Sequence, residues 1–157
     1  MRSMIVLAAC LGGCAAPSVQ PVPPAAAAAT AEADVRAAAA RFTLAFNALD
    51  QARFDALWAE EATAFFPYPP FPIRRVDGRA EVLAWFKRFM DSQRAAGKSP
   101  GVDPKDLRVQ MAGADGAVVS FHLGNDPKSA ARRTLIYRRD ADGWRIVHLH
   151  ASVVTAP

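Results

Sequence analysis

Beyond residue 14 the chain has no cysteine; its two, Cys10 and Cys14, both stand at the extreme N-terminus. The folding body can therefore hold no disulfide and no thiolate metal site. The apolar stretch at the N-terminus falls short of the roughly 20 residues that a membrane-spanning helix needs. Basic residues exceed acidic ones by 19 to 15, giving a net charge of +4, yet they never gather into a long basic run. Arg74-Arg75, Arg132-Arg133 and Arg138-Arg139 sit as isolated pairs. With no accompanying motif, that thin spread argues against a nucleic-acid partner. There is no Gly-x-Gly-x-x-Gly or phosphate loop and no Gly-x-Ser-x-Gly elbow, so nucleotide binding and hydrolase chemistry lack their usual frames. Nine glycines without a period exclude a collagen-like chain, and no long internal repeat suggests a solenoid.

What is present is apolar surface. Of 157 residues, 52% are hydrophobic, with nine Phe, three Trp and two Tyr. That is enough for one ordinary domain with a real core, and too short for two sizeable ones. Ahead of it, Met1-Arg2 and the apolar stretch Met4–Ala9 make a short secretory signal. The quartet Leu11-Gly12-Gly13-Cys14 resembles the lipobox of bacterial lipoproteins. The resemblance implies removal of residues 1–13 and acylation of Cys14, hence a lipid anchor in a bacterial cell envelope. Ala15 after the cysteine implies the outer membrane rather than the inner, on the periplasmic side. Leu7-Ala8-Ala9-Cys10 fits the same pattern but leaves hardly any apolar core, and a plain signal peptide cut among the following alanines is the alternative. Residues 14–33, with Pro17, Pro21, Pro23, Pro24 and then Ala25 to Ala29, read as an extended tether.

The domain, residues 34–157, begins with helical periodicity. Val35, Ala38, Phe42, Ala45, Phe46 and Leu49 recur on one face. Asp50 is placed to cap a short second helix carrying Phe54, Leu57 and Trp58. Thr63–Phe66 reads as a short strand ended by Pro67, and the proline-rich Pro67–Pro72 as a stiff loop. A short strand at Ile73–Val76 leads to Asp77-Gly78, and a third helix follows with Val82, Trp85, Phe86, Phe89 and Met90 on one side. Gly97 and Pro100 stop it. The rest alternates as sheet, with hairpin turns at Asp115-Gly116 and Asp142-Gly143. Helices first and strands last predict an α+β domain.

Arg132-x-Thr134, the turn Asp142-Gly143-Trp144 and the closing run Trp144–Ser152 resemble the SnoaL-like branch of the nuclear-transport-factor-two-like superfamily. Val76-Asp77-Gly78-Arg79 matches that family's entry to its third helix. The resemblance spans about residues 34–154. It implies a cone: a strongly curved antiparallel sheet wrapped around about three helices from the N-terminal half, with an apolar pocket at the open end. It also implies two partners, a small apolar or amphipathic molecule in the pocket and a second copy of the chain on the outer sheet face. Members of the family include isomerases, cyclases, dehydratases and assembly domains, so the resemblance implies a shape rather than a reaction.

Strict alternation along the last strand puts Trp144, Ile146, His148, His150 and Ser152 on one face, with Arg132 on the neighbouring strand. That polar face offers hydrogen-bonding groups either to a pocket or to a wet dimer interface. Phe66, Tyr68 and Phe71 on the proline-stiffened loop are candidates for a lip over the pocket mouth, with ordinary loop packing as the alternative. Trp85 is a ligand-binding candidate as well, though its helical spacing is equally that of a core residue. No Asp or Glu occurs in Ala117–Leu123, Arg132–Arg139 or Trp144–Val154. A general base would therefore be His148 or His150, giving an isomerase or dehydratase type of enzyme, or else the domain binds without catalysis. His122, His148 and His150 are of a type that zinc accepts, but no strand acid is present to orient them; no metal and no cofactor is expected.

Overall fold

The computed structural model describes residues 25–67, 71–124 and 129–155. Helix α1 (Ala25–Asn47) starts well before the expected boundary at residue 34. After Pro24 nothing in the sequence opposes a helix, and alanine has the highest helix propensity of all residues. Ala31 is already buried in the core, so residues 25–33 belong to the helix and not to an extended tether. Val35, Ala38, Phe42, Ala45 and Phe46 form the buried face of α1, as their spacing predicts. The helix closes with Leu49 N–H bonded to the Phe46 carbonyl at 3.0 Å and Asp50 N–H to the Ala45 carbonyl at 2.9 Å. These are the paired bonds of a Schellman closure, with Leu49 at φ 55° where glycine is usual. The carboxylate of Asp50 then accepts the Arg53 amide at 3.0 Å and caps α2 (Gln51–Asp55).

Strand β1 (Trp58–Phe65) is longer than Thr63–Phe66 suggests, and β2 (Val76–Asp77) pairs against it. Helix α3 (Arg79–Ala95) buries Val82, Phe86 and Met90. It ends as expected at Gly97, whose φ of 63° lets Lys98 N–H return to the Gln93 carbonyl at 2.9 Å. Strands β3 (Lys105–Met111), β4 (Gly116–Leu123), β5 (Ser129–Asp140) and β6 (Gly143–Thr155) complete the chain.

The six strands form one curved, unclosed sheet in the order β2-β1-β6-β5-β4-β3. β1 and β6 run parallel, so the sheet is mixed rather than wholly antiparallel as expected. No hairpin joins those two strands, so no tight turn dictates their direction. The fold class itself, α+β with the helices from the N-terminal half, is as expected. The helices fill the concave side through an aromatic cluster. Ring centroids lie from 4.8 Å apart (Phe54–Phe86) to 6.5 Å (Phe42–Trp58). Such contacts add to the area buried, since offset and edge-on rings attract one another.

One irregularity governs the placement of side chains. Ile136 pairs with His148, but the next residue, Tyr137, pairs with Ile146, leaving Val147 as an extra residue on β6. A bulge of this kind resets the alternation of its strand. Trp144 and Ile146 point to the core before it, and Leu149 and Ala151 do so after it. The expectation that Trp144, Ile146, His148, His150 and Ser152 share a face is therefore corrected: the last three lie opposite the first two.

Candidate functional site

Inside the cone a cavity of about 260 Å3 opens between α1, α3 and the sheet. Each element contributes apolar groups to it. Phe46 comes from α1, Phe66 and Phe71 from the segment after β1, Phe89 from α3, Phe121 from β4 and Leu149 from β6. Phe66 and Phe71 stack with centroids 4.5 Å apart and planes within 11°, so the proline-rich loop returns onto the core. Phe71 then meets Phe89 at 5.9 Å.

Among the described residues a single charged one lines this cavity, Arg133. Its position follows from register: β5 places it between Phe121 of β4 and Ala151 of β6, both of which face inward. Its Nη1 donates to the carbonyl of Arg132 at 2.8 Å and to that of Ser152 at 3.4 Å. A guanidinium stays charged throughout the working pH range and cannot serve as a base. Among the described residues the cavity lining contains no Asp, Glu, His, Tyr or Cys. What these residues offer is enclosure and one positive charge.

The residues singled out from the sequence divide between two faces. Phe66 is buried and lines the cavity. Trp85 does not; its ring packs against Phe71 at 6.1 Å and carries the Arg88 guanidinium over it at 4.4 Å. Tyr68 and Cys14 lie outside the described residues. Arg132, His148, His150 and Ser152 do come together, but on the convex face, where the bulge turns them away from the cavity. Arg132 pairs across to His122 and Ser152, and His150 to Thr134. A histidine on this face is not positioned as a base for a molecule in the cone.

On the convex face the imidazole of His148 is the most constrained group. Its Nδ1 lies 2.7 Å from the Thr63 hydroxyl of β1. The Phe65 ring is 5.9 Å from the His148 ring and 5.7 Å from that of His150. Burial, then the electrostatic influence of His150 and Arg75, holds the His148 pKa below the usual histidine value. His122 approaches Asp106 at 3.7 Å. Among the described residues no group of three His, Cys, Asp or Glu side chains is spaced to hold a metal ion.

Sequence reasoning missed Arg133 and preferred its neighbour Arg132. The signal for the cavity-facing arginine was present on β5, where Leu135 and Tyr137 are apolar and share the parity of residue 133. The bulge on β6 obscured it.

The family model for the SnoaL-like domain matches residues 35–156. No curated relative matches the sequence. Solved structures share the fold. A cystatin-like fold protein from Burkholderia xenovorans superposes with a TM-score of 0.64 at 24% identity, over 82% of this chain and 95% of that one. An NTF2-like protein of unknown function from Pseudomonas putida gives 0.62 at 24%, over 79% and 87%. A ketosteroid isomerase-like protein from Erwinia carotovora atroseptica gives 0.58 at 20%, over 79% and 96%.

Proposed function

The chain belongs to the SnoaL-like domain family, and from that premise we propose that it is a binding domain for a small apolar or amphipathic molecule held in the cone. The observation that carries this reading is the cavity lining: aromatic and aliphatic throughout, with Arg133 as the single charge and no general base among the described residues. Apolar pockets with one or two polar groups to fix orientation are the common form of small-molecule sites. The reading is of binding without catalysis. It is tested by thermal shift of the full chain against a set of apolar carboxylic acids and neutral apolar compounds, in parallel with Ala131→Trp. Ala131 lines the cavity, and an indole there fills it. Compounds that stabilise the parent should lose their effect on the variant; stabilisation that persists unchanged overturns the assignment.

We further propose, on the strength of the lipobox-like Leu11-Gly12-Gly13-Cys14 and the Ala15 that follows it, that the domain is held at the bacterial envelope by a lipid on Cys14, on the periplasmic side and at the outer membrane rather than the inner. Two or more acyl chains anchor stably, each buried CH2 contributing about 0.8 kcal/mol. Cys14→Ala should free the protein from membranes while Cys10→Ala should not; palmitate label retained by Cys14→Ala overturns the choice of cysteine. A second copy of the chain is the proposed cover for the convex sheet face. Ile136, 37% exposed, and Val154, 40% exposed, stand there among the half-buried His148 and Ser152.

A further inference from the structure

Away from the cone, a wider groove of about 800 Å3 lies between the last turns of α1, α2 and the β5–β6 hairpin. It shares no lining residue with the cavity inside the sheet. Its apolar surface comes from Leu44, Ala48, Leu57 and Trp144. Leu44 is 69% exposed, on the side of α1 that faces away from the core. An exposed leucine is ordinary when isolated; one beside a tryptophan in a concave surface is a place for an apolar ligand.

The charges on the rim are not equivalent. Asp50 is occupied by the Arg53 amide and pairs with the Arg53 guanidinium at 3.4 Å. Asp142 pairs with Arg145 at 3.6 Å, and Arg145 also reaches Asp140 at 3.8 Å and the Ala56 carbonyl. Arg41 differs: among the described residues it has neither a hydrogen bond nor an ion pair, while it lines the groove. Its charge extends beneath the surface, where it opposes the upward push that burial gives the Tyr137 phenol. The hydroxyl of Tyr137 and the indole nitrogen of Trp144 are buried without a hydrogen-bond partner among the described residues.

We propose that this groove is a second binding site, for an amphipathic organic monocarboxylate. The carboxylate meets the planar fork of Arg41, a geometry that guanidinium groups satisfy with two parallel hydrogen bonds. The alkyl or aryl body lies on Leu44, Ala48 and Trp144. A single negative charge matches the rim better than a phosphate dianion, because Asp50 and Asp142 already offset Arg53 and Arg145 and leave one cation, Arg41, to answer the ligand. The volume suits a small molecule of drug-like size rather than a protein surface.

Titration of decanoate into the full chain carrying Cys14→Ala, followed by calorimetry and tryptophan fluorescence, tests the site. Arg41→Gln and Leu44→Asp should each weaken one saturable binding event at least tenfold, and decanol should bind that site at least tenfold more weakly than decanoate. Ala131→Trp, which fills only the cone, should leave the event intact. Unchanged affinity in both Arg41→Gln and Leu44→Asp overturns the proposal. So does loss of all binding in Ala131→Trp, which would assign the ligand to the cone alone. Self-association that Leu44→Asp abolishes, with no decanoate bound, overturns it in favour of a protein occupant.

Discussion

The concave and convex faces of the sheet are made from the same strands and carry opposite chemistry. On β5, Ala131, Arg133, Leu135 and Tyr137 turn inward, while Arg132, Thr134, Ile136 and Arg138 turn outward. On β6 the inward set is Trp144 and Ile146, then Leu149 and Ala151, the change of parity falling at Val147. Whether Val147 is paired or left unpaired thus decides whether the two histidines face the cavity or the convex side of the sheet. Composition is the same either way, and only the register separates a polar pocket from an apolar one.

The largest expected effect comes from placing a charge on the inward side of β6. Leu149 is 2% exposed, so Leu149→Asp forfeits about 1.5–3 kcal/mol of burial and leaves a carboxylate without a partner in the core, a further cost of about 3–5 kcal/mol. Against a total stability of about 5–15 kcal/mol for a domain, that is enough to abolish cooperative folding. Urea melts followed by near-ultraviolet circular dichroism should show no sharp transition for Leu149→Asp, whereas His150→Asp, on the exposed side of the same strand, should still melt cooperatively. Deleting Val147 should also leave a cooperative melt, because it removes the unpaired residue and keeps Ile146 opposite Tyr137, His148 opposite Ile136 and Leu149 inward. A Leu149→Asp variant that melts like the parent would show that the two faces are not set as the bulge implies.

Adjacent residues on β5 sharpen the contrast at smaller amplitude. Leu135 is fully buried, and Ile136 is 37% exposed on the other side. Leu135→Ala should cost about 2–5 kcal/mol in urea unfolding. Ile136→Ala should cost less than about 1 kcal/mol if the convex face is in water. Equal losses, growing with protein concentration for Ile136→Ala, would instead reveal a second copy seated on that face.

Much of this was legible in the residues themselves. The helix faces, the Asp50 cap, the Gly97 stop and both hairpin turns follow from local rules that act within a few residues. Phe66 was legible as a pocket residue because a proline-bounded aromatic beside a strand end has few other places to go. The parallel β1–β6 pair was not, since it joins segments about eighty residues apart without a connecting turn. Nor was the bulge: Trp144–Ser152 alternates convincingly on paper, and only pairing with β5 shows that Val147 has no opposite number. The unseen bulge therefore separates His148, His150 and Ser152 from Trp144 and Ile146 and sets them, with Arg132, on the convex side, where of the two settings open to that face only the outer one remains. The start of α1 was misplaced for a different reason, because prolines in the preceding segment outweighed the alanines that follow Pro24.

Arg132 and Arg133 test the two faces as binding surfaces. For an apolar carboxylate that binds in the cone, Arg133→Gln should weaken binding about tenfold or more, since a hydrogen bond to a charged group contributes about 1.5–3 kcal/mol. Arg132→Gln, exposed on the convex side, should leave that affinity unchanged. Calorimetric titration of both variants checks it, and the opposite ranking would return the site to the face that the sequence first suggested.

The smallest effect is a pH dependence confined to the convex face. His148 is half-buried beside Thr63, and its folded pKa lies below the ordinary value of 6.5, chiefly through burial. The neutral ring is thus favoured in the folded state. Its contribution to stability is complete above the unfolded pKa, is lost as pH falls from about 6.5 through the folded value, and levels off below it. Subtracting the urea stability of His148→Gln from that of the parent should give a difference that shrinks over this window. Thr63→Val should lower stability at neutral pH by about 1 kcal/mol through loss of the hydrogen bond. Leu135→Ala, on the concave side where no described cavity residue titrates near neutral pH, should reduce stability by the same amount at pH 5 and pH 8. A difference between parent and His148→Gln that stays flat across the window would remove His148 as the acid-sensitive group. One that steepens with protein concentration would mean that a second copy buries the ring further, because deeper burial widens the gap between its folded and unfolded pKa.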